Sequence, residues 1–336
     1  MKKIRLLIFL LPAICFFAAG CGENPVGDKI RFGTGGIGGK YYVYGSSLAQ
    51  MIEENEKNFS FAVKTTSGSA ANIRLLREGF LDFAIVQSDT LSDSVNGAGV
   101  FKNFDSSTGY AAVAGLYTEA CQIIVPKNSP VETVNDLVGK KISVGEKESG
   151  VLQNAKEILL AHGLTFEMIV PYYLSFADSA AALESGEIDA FFCTAGVPTA
   201  AVSNLAAKCD IRFLPISPEI LNNITNIYKG YTVCRIPAGT YRGQDAEILT
   251  LGVKAVLVAN TELENKQVEF VTKFLFDNAK KIRVAADIDS DLTVNYAVTD
   301  IPCAFHAGTA KYYESQGVLV EVYSGAKGQR IIATQD

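Results

Sequence analysis

Short apolar runs alternate with amphipathic stretches along most of this chain of 336 residues. Ile30–Gly33, Phe61–Lys64, Phe83–Gln87, Gln122–Val125, Lys141–Val144, Ala190–Cys193 and Ile211–Leu214 read as strands. Between them, Tyr42–Glu54, Ala70–Arg77, Val151–Ala161, Ser175–Leu183 and Pro198–Ala206 repeat apolar residues at helical spacing. Such alternation predicts an α/β fold of parallel sheets covered by helices. One pattern recurs: Leu76 to Asp82 and Leu183 to Asp189 share L-x-x-G-x-x-D at an offset of 107 residues. Each reads as a helix stopped by a C-cap glycine, followed by an aspartate opening an apolar strand. Any α/β turn can look like this, but two such units suggest two lobes of similar construction. Gln122–Val125 and Leu251–Val258 read as chain crossings between lobes. The first lobe is then discontinuous, residues 29–121 plus 251–336, and the second is 122–250.

Polarity at the start of the chain changes the picture. Lys2, Lys3 and Arg5 precede an apolar run from Leu6 to Phe17, too short to span a bilayer and typical of an export signal. Ala18-Ala19-Gly20 then leads into Cys21, and this resembles a bacterial lipobox, although Ala18 stands where that pattern prefers leucine. The expectation is a signal peptide over residues 1–20, lipidation of Cys21 and a polar tether over 21–28. Ordinary cleavage near Ala19, giving a soluble periplasmic protein, is the alternative. Loss of the leader leaves 27 Lys and Arg against 36 Asp and Glu, a net charge of −9. That balance offers no basic patch for nucleic acid. Of seven cysteines, five remain beyond Cys21. An odd number at wide spacings argues for buried thiols over a disulfide framework, though one pair could still bridge.

"FGTGGIGGKYYVYG", Phe32 to Gly45, carries candidate chemistry. Gly33, Gly35 and Gly38 fall on G-x-G-x-x-G, the dinucleotide fingerprint. That fingerprint also needs an acidic residue at the end of the second strand. Here the strand ends Lys64-Thr65-Thr66, and an exported protein meets little nucleotide, so no cofactor is expected. What remains is a backbone that a ligand can approach closely, with a helix N-terminus behind it that suits a carboxylate. A plain tight turn is the simpler reading.

Segments in order along the chain carry a resemblance: "FGTGGIGGKYYVYGSSLAQMI", "TSGSAANIRLLREGFLDFAIVQSD", "AGLYTEACQIIV", "NDLVGKKISVGEKESGVLQNAKEILLAHGL", "GEIDAFFCTAGVP", "IPAGTYRGQD" and "IPCAFHAGTAKYY". Together they resemble the TAXI class of TRAP-transporter solute-binding proteins. The resemblance implies a two-lobed venus-flytrap fold of the type II periplasmic binding-protein kind, each lobe a mostly parallel sheet flanked by helices. It also implies capture of a small organic solute such as glutamate or another carboxylate, and delivery to a membrane permease driven by an ion gradient. The ligand-binding residues it marks are Thr34, Gly35, Gly36, Gly39 and Tyr41, then Gly68 and Ser69 with Asn72, then Gln87, Ser88 and Asp89. Tyr117 and Glu119 follow at the first crossing, and Ser149, Gly150, Ala195, Gly196 and Pro198 come from the second lobe. "GEKESGV" departs from the family by placing two glutamates beside the Ser-Gly pair. "CAFHAG" replaces a Pro-rich stretch around His306.

Strand C-terminal ends are where ligands sit in parallel sheets, which marks Gln87–Asp89 and Thr194–Gly196 independently of any family. Asp89 or Glu119 would suit an ammonium. For an enzyme, the chain has no G-x-S-x-G or H-E-x-x-H, and only two histidines, His162 and His306. No catalytic or metal residues are expected. A binding module that signals to a membrane sensor would have the same fold, and sequence does not separate it from a transport module.

Overall fold

The computed structural model describes residues 29–102, 109–288, 292–324 and 330–332, so the expected leader, tether and Cys21 lie outside the described residues. In the first stretch β1 (Ile30–Gly33), α1 (Lys40–Asn55), β2 (Phe61–Lys64), α2 (Ser69–Arg77), β3 (Phe83–Gln87) and α3 (Ser88–Asn96) alternate. The long β4 (Tyr110–Pro126) carries the chain into the second half. That half holds β5 (Lys141–Ser143), α4 (Gly150–Ala161), β6 (Val170–Tyr172), α5 (Phe176–Glu184), β7 (Ala190–Ala195), α6 (Ala200–Lys208), β8 (Ile211–Phe213), α7 (Pro218–Ile227) and β9 (Tyr231–Ile236). A second long strand, β10 (Ile248–Asn260), returns the chain. It leads to α8 (Asn265–Asp277), α9 (Ala279–Ala286), α10 (Val294–Val298), α11 (Ala307–Ser315) and the antiparallel pair β11 (Glu321–Tyr323) and β12 (Arg330–Ile332).

The strands form one ten-stranded sheet in the order β2-β1-β3-β10-β4-β7-β5-β6, with β8 paired to β4 and β9 to β10. β1 lies parallel to β2 and β3, and β5 lies parallel to β6 and β7. β10 is antiparallel to β3 and β4, and β4 is antiparallel to β7. Parallel pairing therefore holds within the outer triplet of each half, and the centre is mixed. A strand that leaves one half and another that comes back must run in opposite directions.

The repeated L-x-x-G-x-x-D has a shared structural job. Gly79 and Gly186 take φ of 71° and 75°, the left-handed region that a side chain resists. Asp82 then accepts from the Arg31 amide at 2.6 Å, and Asp189 accepts from the Lys141 amide at 2.8 Å. Each aspartate thus pins its strand to the first parallel strand of its own half. β3 is buried at all five positions, as a strand covered on both faces must be.

Side chains alternate across the sheet, so Phe191 and Phe192 on β7 enter different apolar clusters. One set of clusters gathers Phe32, Leu48, Ile73, Phe83, Leu257, Val271 and Tyr313; the other gathers Ile123, Leu137, Ile158, Phe192, Val202 and Leu221. Two helix starts lie two residues from expectation. α1 begins at Lys40, because Gly39 is the extended N-cap. α6 begins at Ala200, because the Thr199 amide donates to the Tyr241 hydroxyl at 3.0 Å and holds Pro198 in the preceding loop.

Candidate functional site

A cavity of about 560 Å³ lies where the two halves face each other. Six parallel strands point their C-terminal ends at it. The segments that follow them form the wall: Gly35–Tyr41 after β1, Thr65–Ser69 after β2, Gln87 ending β3, Gly145 and Glu146 after β5, Leu174–Ala177 after β6, and Thr194 and Ala195 ending β7. Glu119 on β4 adds to it. The first turns of α1, α2, α4 and α5 also open onto the cavity, bringing four positive helix ends together. Ser149 and Ser175 cap α4 and α5 through their hydroxyls, whereas Gly39 and Gly68 leave α1 and α2 without a side-chain cap. An anion held by these amides would take the place of such a cap.

The polar side chains on the wall are mostly hydroxyls, joined by the carboxyls of Glu119 and Glu146. Glu119 is 2% exposed and accepts from the Tyr41 hydroxyl at 2.7 Å. Burial pushes its carboxyl up to about 8, and the Tyr41 hydrogen bond only partly offsets this. Burial, then the Glu119 charge, raises the Tyr41 hydroxyl well above its ordinary value. Gln87 is 3% exposed, and its Oε1 is buried without a hydrogen-bond partner. Lys40 is the only lysine or arginine among the described wall residues, and its ammonium turns away to the Ala286 and Asp287 carbonyls at 3.0 and 2.5 Å.

Of the residues expected at a site, Gly35, Gly36, Gly39, Tyr41, Gly68, Ser69, Gln87, Glu119, Ser149, Gly150 and Ala195 come together on this wall. Seven others do not. Asn72 is buried, its amide donating to the Thr34 and Ile85 carbonyls, and Pro198 lies in the loop before α6. Five more are held away by packing. Thr34 is fully buried, its hydroxyl donating to the Lys64 carbonyl at 2.9 Å while its own carbonyl accepts from Asn72 at 2.7 Å. Ser88 donates to the Gly230 carbonyl at 2.8 Å, behind the wall. Asp89 is turned toward α4 by Asn154. Tyr117 is fully buried beside Tyr44, with ring centroids 5.6 Å apart. Gly196 packs so tightly that a Cβ there would sit 3.0 Å from the Tyr117 ring. A pairing of Asp89 with a ligand ammonium is therefore set aside, since its carboxylate serves the contact between the halves.

Sequence reasoning missed Leu174–Ala177 because β6 was not recognised, and with it the strand end that delivers them. Thr65 and Thr66 stood at the end of a recognised strand, and the strand-end rule alone would have found them. The histidines serve the ends of helices. His162 closes α4, its Nδ1 2.7 Å from the Ile158 carbonyl. His306 caps α11, its Nδ1 accepting from the Gly308 amide at 3.1 Å, and burial pushes it down to about 4. Cys121 and Cys193 are buried free thiols, Cys209 and Cys234 are partly buried free thiols, and Cys303 is partly buried.

A cavity at the strand ends, between two halves joined by two long strands, is the arrangement of the two-lobed periplasmic binding-protein fold. A putative L-cystine ABC transporter protein from Listeria monocytogenes has this fold with a TM-score of 0.50 at 16% identity, over 79% of this chain and 99% of that one. The chain belongs to the NMT1-like family, whose model matches residues 32–317. A putative aliphatic sulfonates-binding protein of Escherichia coli (strain K12) is 38% identical over 84 residues. That match spans 24% of this chain and 25% of the relative's length. The crystal structure of the periplasmic aliphatic sulphonate binding protein from Escherichia coli gives a TM-score of 0.44 at 16% identity, covering 86% of this chain and 90% of that one.

Proposed function

We propose that this protein captures a small organic solute outside the cytoplasmic membrane and delivers it to a membrane permease. The solute carries a carboxylate or is an amino acid, and closure of two lobes around it is the binding event. The observation that carries this reading is the convergence of six strand ends and four helix N-termini, drawn from both halves, on one cavity. Residues 29–121 with 251–336 form one lobe and 122–250 the other, with β4 and β10 as the paired crossings. A ligand touching both walls stabilises the closed state by the difference between its contacts in the closed and open states.

The partner in this reading is a TRAP-type permease driven by an ion gradient, supported by the TAXI-like segments quoted above. The relatives' association with ABC systems favours a second reading, an ATP-driven permease. A lipid anchor at Cys21 holds the protein on the outer side of the membrane, supported by the leader that precedes it. Native mass spectrometry of the purified protein should reveal a co-purified solute, and small-angle scattering should show a smaller radius of gyration when that solute is returned to stripped protein. No contraction at saturation would overturn lobe closure. Uptake that stops when the ion gradient is collapsed supports the TRAP partner; uptake that stops only on ATP depletion supports the ABC partner.

A further inference from the structure

The cavity wall combines positive helix ends with two carboxylates that lack cations. Glu119 accepts from Tyr41, and neither it nor Glu146 has an ion pair among the described residues. Glu146 belongs to a run of three charged residues whose other two members are occupied elsewhere. Lys147 places its ammonium 5.4 Å from the centre of the Tyr173 ring, and Glu148 pairs with Arg74 at 3.0 Å. Glu146 alone turns to the cavity, where its Oε2 lies 3.9 Å from the point a Cβ on Gly36 would occupy. Burial, then the neighbouring Asp178 charge, raises its carboxyl above the usual range. The only cationic side chain on the wall, Lys40, is spent on Ala286 and Asp287.

We infer that the solute is a basic zwitterion: its carboxylate meets the helix ends, one ammonium meets Glu119, and a second cationic group meets Glu146. This rests on the solute-binding reading above and narrows its ligand. A carboxylate taken out of water is costly unless a cation arrives with the ligand, and here the protein supplies none. A dicarboxylate would instead set a second negative charge against Glu146, where like charges repel. The α-amino acids with an amine or guanidine at the far end of the side chain have the required three groups. A cavity of about 560 Å³ is large enough for them.

Titration calorimetry on protein stripped of bound solute tests this with L-lysine, L-ornithine and L-arginine against L-norleucine, which lacks the terminal amine, and L-glutamate. At least one basic amino acid should bind ten-fold or more tightly than L-norleucine, with L-glutamate weaker than both. Glu146→Gln should shrink the ratio of basic to neutral affinity at least ten-fold. Should that variant fail to fold, the wild-type ranking decides alone. Tighter binding of L-glutamate than of every basic ligand overturns the inference, as does a ratio that Glu146→Gln leaves unmoved, or no binding of any basic ligand. A co-purified solute without amines that still contracts the protein would overturn only this inference. A protein that no solute contracts would overturn the solute-binding reading itself.

Discussion

The side-chain amide of Asn154 on α4 donates to Asp89 Oδ2 at 2.7 Å, tying the second half of the molecule to the first turn of α3 in the other. The same amide donates to the Tyr231 hydroxyl at 2.7 Å, which itself donates to Glu157 at 2.5 Å. Gln153 links Glu157 to Asp93. Three carboxyls thus share one contact between the halves, beside the cavity, with no cation in the set.

This contact predicts an unusual dependence of stability on pH. Burial pushes Asp89 up to about 7 and Glu157 up to about 8, and Glu119 in the cavity also reaches about 8. Between about pH 5 and 8 the folded protein therefore holds more protons on these groups than the unfolded chain does. Stability is then fullest below the unfolded carboxyl range and is lost as pH rises through 7 and 8. The melting temperature should fall across that window, and Asp89→Asn should flatten the slope. A melting temperature that rises from pH 5 to 8, in wild type and variant alike, would show that these acids ionise freely.

Closure depends on a glycine at the start of α4. A Cβ on Gly150 would lie 1.8 Å from Gln87 Oε1 and 3.0 Å from the Ser69 hydroxyl, both across the cleft. Gly150→Ala should displace Gln87 and hold the halves apart. Affinity for the co-purified solute should drop at least ten-fold, about 1.4 kcal/mol, while thermal unfolding of the unliganded protein changes little. Calorimetry of binding and of unfolding, run side by side, separates the two effects.

The glycine loop makes a related claim on the opposite wall. Gly36 has a negative φ, and the only atom within 4 Å of an added Cβ is the Glu146 carboxylate oxygen at 3.9 Å. Gly36→Val should fold normally and fill cavity space, weakening binding by more than ten-fold, roughly 1.4 kcal/mol. A variant that binds as tightly as wild type would reduce the loop to a turn.

The thiols give a simpler test. Cys121, Cys193, Cys209 and Cys234 are unpaired, and burial raises Cys121 well above the usual thiol range. A reducing agent should leave the melting temperature unchanged. Under native conditions a thiol reagent should label Cys209 or Cys303 well before Cys121 and Cys193. A fall in melting temperature on reduction would reveal a disulfide.

Much of this structure was legible in the order of residues. Strands β1, β2 and β3 were read with their full bounds, because apolar runs closed by turn residues are local signals. The repeated Gly and Asp of the two helix-to-strand turns were legible for the same reason: a left-handed glycine and a strand-opening aspartate depend on near neighbours. Wall glycines such as Gly36 and Gly39 stood out because only a residue without a side chain leaves backbone amides open to a ligand.

Direction was another matter. Asp89 follows the end of β3 and Glu119 sits in the middle of β4, and neither position by itself says which acid faces the cavity. Packing turned Asp89 toward Asn154 and left Glu119 on the cavity wall. Glu146 was visible only as a departure from a familiar pattern; what assigned it to the cavity was the loss of Lys147 to Tyr173 and of Glu148 to Arg74. The sequence by itself determined the α/β class and the glycine-lined turns, because these follow from periodicity and backbone freedom. Only the tertiary structure decided which carboxylates face the ligand, because that depends on partners as far apart in the chain as Glu148 and Arg74, brought together by folding.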